Sequence, residues 1–132
     1  MKKYPSIQVI LDIHRDAIQN NSGTKTKPIT TINGKKAAQL MIISGCQEDG
    51  ITGFDDWEYN LRFAMQIQKA CVEKYPTLAR PLLFSARKYV MYKSHNSLLI
   101  EIGSDSNTLD EAAYTGRLIG DVLSDLLPKY VG

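Results

Sequence analysis

Ile7-Gln8-Val9-Ile10-Leu11-Asp12-Ile13 is short, rich in β-branched side chains and almost continuously apolar. A run of that kind predicts a strand buried on both faces, the type found inside the sheet of an α/β protein. It runs straight into His14-Arg15-Asp16, which sets polar side chains at the strand's carboxyl end. In open α/β sheets ligands bind beyond the carboxyl ends of strands. This one run therefore constrains both the fold class and the place to look for a site.

The rest of the chain supplies the partners such a strand needs. Asn20-Asn21-Ser22-Gly23 marks a loop. Ile29-Thr30-Thr31-Ile32, then Asn33-Gly34, then an apolar run from Ala37 to Ile43 reads as a hairpin. Asn-Gly provides the two positive-φ residues of a tight turn with the right twist. After the polar loop from Gln47 to Gly53, Asp55-Asp56 can cap a helix starting near Trp57. Trp57, Leu61, Ala64, Ile67, Cys71 and Tyr75 recur at helical spacing and mark one apolar face, which Pro76 ends. Leu82-Leu83-Phe84 reads as a short strand, and Ser97 to Gly103 as a stronger one interrupted by the carboxylate of Glu101. Thr108 with Glu111 forms a capping box. The helix behind it carries Ala112, Gly116, Ile119, Leu123 and Leu126 on one stripe and stops at Pro128. The order predicts an α/β fold, a mostly parallel sheet flanked by helices.

The length of 132 residues fits one domain spanning 1–132. At 43% hydrophobic and 23% charged residues, the chain can bury a core. A formal net charge of +2 gives no argument for a nucleic-acid partner, which usually needs a concentrated basic face, and none is expected. Cys46 and Cys71 form neither a disulfide framework nor a metal-type spacing. Met1-Lys2-Lys3-Tyr4-Pro5 begins no unbroken apolar stretch, so no secretory signal or membrane span is expected.

Two polar groups stand where α/β chemistry sits: Asp12, His14, Arg15 and Asp16 after the first strand, and Glu101 inside a late one. A carboxylate buried in an apolar strand costs several kcal/mol unless it is paired, protonated or near a metal, roughly by transfer data. Zinc held by His14, with Glu101 as general base toward its water, satisfies both groups. An ion pair of Glu101 with Arg15 or Arg87 satisfies the carboxylate equally well, and the residue types leave both open. His14-Arg15-Asp16 with Asn21 mimics a kinase catalytic loop. The chain lacks the glycine-rich loop, the Asp-Phe-Gly and the length, which excludes it. A cysteine hydrolase pairing Cys46 with His14 needs a thiolate near a cation, whereas a lone cysteine is usually a small buried hydrophobe.

Six segments in order resemble the stage II sporulation protein P family. These are Val9 to Ala17, Thr31 to Gln39, Trp57 to Leu61, Lys74 to Pro81, Leu98 to Ser104 and Asn107 to Ala112. That family is similar to the type 3 N-acetylmuramoyl-L-alanine amidases, which are zinc-dependent. The resemblance implies the carboxyl-terminal half of such a domain, with His14 as zinc ligand and Glu101 as catalytic acid/base. Arg15 and Asp16 then orient His14 or contact substrate; the alternative is a solvated Arg15 and a helix-capping Asp16. The Arg80 of the fourth segment reads as structural.

The implied substrate is peptidoglycan, and the implied partner is stage II sporulation protein D. The implied place is extracytoplasmic and membrane-associated, during engulfment. The family's upstream His-Thr-His strand has no match here, and the chain has only two histidines. His95 reads as an exposed loop histidine. The expectation is therefore an amidase-like domain lacking its N-terminal strands, with an incomplete zinc site. Its exposed sheet edge makes a homo-oligomer, and its activity alone is weak or absent. The alternative is a non-catalytic module of the same fold that binds peptidoglycan or a partner.

Overall fold

The computed structural model describes residues 3–130. The elements follow as β1 (Ile10–Asp16), β2 (Ile29–Ile32), β3 (Lys35–Ala38), β4 (Leu40–Gly45), α1 (Trp57–Lys74), β5 (Leu83–Ser85), β6 (Ser97–Ser104) and α2 (Leu109–Leu126). Four strands form one sheet in the order β1-β6-β4-β5. β1 runs parallel to β6 and β5 parallel to β4, while β4 and β6 are antiparallel. The fold is α/β with a mostly parallel sheet and helices packed on it.

β6 is the strand buried on both sides: Ser97, Leu98, Leu99 and Ile100 are all fully buried. β1 differs from its reading. It starts three residues later than expected, at Ile10, and continues through His14 to Asp16. It is half-buried at best, with Ile13 53% exposed. The reason is position. Among the described residues β1 has a single strand neighbour, β6, so its apolar run serves an edge and not the interior.

The hairpin turn forms as expected, with Asn33 and Gly34 at positive φ of 49° and 75°. Its second arm is shorter than the apolar run suggested. The chain breaks at Gln39: Lys35–Ala38 pairs with β2, and Leu40–Gly45 leaves the hairpin to join the main sheet. One apolar run thus serves two sheets.

Leu40, Ile42, Leu98 and Ile100 project from one sheet face into a cluster with Phe63, Ala64, Ile67 and Cys71 of α1 and Leu118, Ile119, Val122 and Leu126 of α2. Each large aliphatic or aromatic side chain among them contributes roughly 1.5–3 kcal/mol on full burial. Both helices turn slightly from the faces expected. Asn60 and Phe63 replace Leu61 on the buried side of α1, because the Asn60 side chain donates to the Met91 carbonyl and accepts from the Ser97 N–H. In α2 the exposed residue is Gly116 and the buried one Thr115, whose hydroxyl donates to the Ala38 carbonyl at 2.6 Å. Asp56 stands at the start of α1 but caps it with no side-chain bond.

The capping box of α2 is complete. Thr108 accepts from the Glu111 N–H, and the Glu111 carboxylate accepts from the Thr108 N–H. The same carboxylate takes the Asn107 amide and pairs with Lys27 at 2.8 Å. Burial pushes the Glu111 pKa up, but Lys27, the Thr108 N–H and the Asn107 amide outweigh it and hold the group at about 2. A carboxylate with a depressed folded pKa stabilises the fold above its unfolded value, roughly 4.3, and loses that contribution as pH falls through the folded one. Glu111→Ala is therefore expected to cost about 2 kcal/mol at pH 7 in urea unfolding. The deficit should shrink as pH is lowered from 5 toward 2, and a pH-independent deficit would contradict the assignment.

Candidate active site

Residues paired across neighbouring strands share a sheet face, and alternate residues along a strand share it too. His14 pairs in register with Glu101, and Glu101 with Met41. Asp12, His14, Leu99, Glu101, Met41 and Ile43 therefore line one face, opposite the helices. The two residues singled out from the sequence stand side by side on it. Just beyond them the register shifts, so that Asp16 pairs with Ser104, and Gly103 takes up the extra residue at φ 64°. A Cβ there would fall 2.4 Å from Asn107 Oδ1 and 2.8 Å from Ala38 Cβ, which restricts the position to glycine.

The His14 ring meets Asp12, with Nε2 3.0 Å from Asp12 Oδ1, and its side chain is 44% exposed. Asp12 thus stands beside the ring, in the place expected of Arg15 or Asp16. Arg15 falls on the alternate side of β1, exposed, where its charge bears on Asp105. Asp16 caps no helix: Oδ1 accepts from the Ala17 N–H at 2.8 Å, and Oδ2 meets Arg80 Nη2 at 3.2 Å. Arg80, read from the sequence as structural, is delivered here because its N–H bonds the Leu40 carbonyl at the start of β4. Its place in the fourth family-like segment was the only sequence signal for it.

Glu101 makes none of the ion pairs formed among the described residues, neither with Arg15 nor with Arg87. Its Oε2 is buried without a hydrogen-bond partner, as is Arg80 Nε. Burial, then the Asp16 charge, push the Glu101 pKa up; His14, Arg80 and Arg87 pull it down without cancelling the rise. The result is a carboxyl group near a histidine, readier than usual to hold a proton.

The other candidates lie elsewhere. His95 stacks on Tyr59 at 4.3 Å and contacts Asp56 at 3.0 Å. His95 and Asp56 line a cleft of about 450 Å³ with Asn60, Tyr92 and Lys93. That cleft contains neither His14 nor Glu101, which stand on an open sheet face. Cys46 follows β4, whose carboxyl end lies beside the amino end of β6, about 15 Å along the strands from His14. Burial, then Glu48 and Asp49, raise its pKa, which opposes thiolate formation.

The family model of stage II sporulation protein P matches residues 1–124. The chain belongs to that family. Membership makes it a sporulation-related protein. No curated protein and no solved structure matches it.

The unpartnered carboxyl of Glu101 has a thermodynamic consequence. A carboxyl whose folded pKa is raised supports the fold while protonated and loses that support as pH rises from its unfolded value, roughly 4.3, through the folded one. Glu101→Gln should match the parent's melting temperature near pH 3 and exceed it at pH 7. Equal melting temperatures at pH 7 would show that the site does not disfavour the carboxylate.

Proposed function

We propose that the chain carries the His14–Glu101 part of the catalytic centre of a peptidoglycan hydrolase. The reaction is that of a zinc-dependent N-acetylmuramoyl-L-alanine amidase, with endopeptidase action on peptide cross-links as a further activity. What supports this is the in-register pairing of His14 with a Glu101 whose Oε2 is buried and unpartnered, in a chain of the stage II sporulation protein P family.

A catalytic zinc takes three protein donors. Among the described residues no three His, Cys, Asp or Glu side chains gather closely enough to hold an ion. The residues present fall short of a zinc site, with His14 the donor they offer at the expected place. The chemistry that follows is that of the chain's own groups. Glu101 takes a proton from the attacking water and delivers it to the departing amide nitrogen. A C–O bond forms, the C–N bond breaks, and the products are the muramic acid carboxylate and the free amine of L-alanine. A base with a raised pKa keeps both transfers accessible near neutral pH.

In this reading the substrate is peptidoglycan and the place extracytoplasmic, with stage II sporulation protein D as the glycan-cleaving partner. The open edge of β1 is the surface through which a second copy would pair. No helix among the described residues is long and apolar enough to cross a membrane. The shortage of donors favours a second reading: a non-catalytic module that binds peptidoglycan or an engulfment partner.

Zinc content and amine release from muropeptides separate the two. For the hydrolase, Glu101→Gln should fold but lose about 10²-fold or more in turnover. An unchanged rate in Glu101→Gln removes that residue from the reaction. Zinc-free protein that still pulls down peptidoglycan selects the module.

A further inference from the structure

Between β5 and the 3-10 turn at Met91–Lys93, the chain crosses the sheet face that carries His14 and Glu101. Three observations fix this crossing. At Gly45, whose missing Cβ points to that face, an added Cβ would fall 1.9 Å from the Arg87 carbonyl oxygen and 2.8 Å from Met91 Cε, so the strap lies directly on the strand. Tyr89 is held at φ 40°, a conformation that a bulky side chain rarely adopts and that concentrates at ligand sites. Its ring stands edge-on to His14, with centroids 6.5 Å apart.

Arg87 is oriented by neutral oxygens alone. Nε donates to Ser85 Oγ at 3.1 Å and Nη1 to the Tyr89 hydroxyl at 2.8 Å. Among the described residues no carboxylate lies within ion-pair distance of it. A guanidinium has five N–H donors in a rigid fork. Two are held here, and Nη2 and the full positive charge remain for a ligand. That charge stands close enough to Glu101 to lower its pKa. The side chain is exposed.

We propose that Arg87, braced by Ser85 and by the strained Tyr89, binds a carboxylate of the substrate's peptide beside the scissile amide. In substrate terms this is the free α-carboxylate of a glutamate linked onward through its γ-carboxyl. The assignment takes its substrate class from the hydrolase reading but does not depend on turnover. Arg87 is a specificity residue that discriminates acidic from amidated peptides, since a charge-assisted bond to a carboxylate is lost when the oxygen becomes an amide nitrogen.

The test is calorimetric binding to the whole chain of N-acetylmuramyl-L-alanyl-γ-D-glutamyl-L-lysine and of the same tripeptide amidated at the glutamate α-carboxyl. The acid is expected to bind about tenfold more tightly than the amide. Arg87→Met should erase that preference, and Arg117→Met on the remote, exposed side of α2 should keep it. Tyr89→Phe removes the brace and should reduce the preference while leaving the charge. Equal affinity for acid and amide, a preference that survives Arg87→Met, or no binding of either at millimolar concentration each overturns the proposal. An acid preference in a chain that hydrolyses nothing leaves this assignment standing and removes only the hydrolase reading.

Discussion

The parallel pairing of β1 with β6 is the constraint on which the site depends. Because the two strands run the same way and His14 meets Glu101 in register, one hydrogen-bond ladder fixes the relation of two residues 87 positions apart in the sequence. A slip by one residue would send either side chain to the helix-covered face. The register is protected on the β6 side by the burial of Leu98 and Ile100 under α1 and α2. It is released at the right place by Gly103, where the shift lets Asp16 align with Ser104 and reach Arg80. Core packing and site geometry are consequences of one pairing.

Two carboxylates, Glu101 and Glu111, show what separates a structural acid from a chemically available one. Both lie in or near apolar surroundings, and burial raises the pKa of each. Glu111 is answered by Lys27, Asn107 and the Thr108 N–H, and ends far below the ordinary range. Glu101 has two arginines and a histidine within electrostatic reach but keeps an oxygen with no partner. Native proteins seldom leave a buried oxygen unpartnered, since each costs about 1–3 kcal/mol. The contrast places Glu111 in the cap of α2 and leaves Glu101 the carboxyl with an unanswered oxygen.

What was legible in the sequence follows how local the deciding interaction is. The Asn33-Gly34 turn and the Thr108–Glu111 box involve neighbours a few residues apart, and both form as read. The two faces of β1 depend on what stands beside it, so a run that looks doubly buried becomes an edge strand with Ile13 exposed. The division of the run at Gln39 likewise depends on a main sheet that claims Leu40 onward. On the sheet face, His14 was singled out at a strand end, where α/β chemistry sits, and Glu101 as an acid inside an apolar run, and the register pairs the two. Arg80 was not singled out, because only the bond of its N–H to Leu40 brings a loop residue to Asp16. Arg87 was read only as a possible ion-pair partner of Glu101 and Tyr89 not at all; the place of their segment is set by Gly45 on another strand.

The strap and the edge strand explain why the open sheet face can hold charged groups at all. The helix-covered face is sealed by a continuous apolar cluster, and an unpaired acid there would carry the full cost of desolvation. On the opposite face Ile43 and Leu99 are buried, yet Asp12, in register beside Leu99, and His14 two residues along β1 are partly open to water. Glu101 sits at that boundary. It is dry enough for its proton affinity to rise, yet still partly open to the water with which a proton can exchange. A sheet covered equally on both faces would have lost the second property, and one left bare on this face would have lost the first.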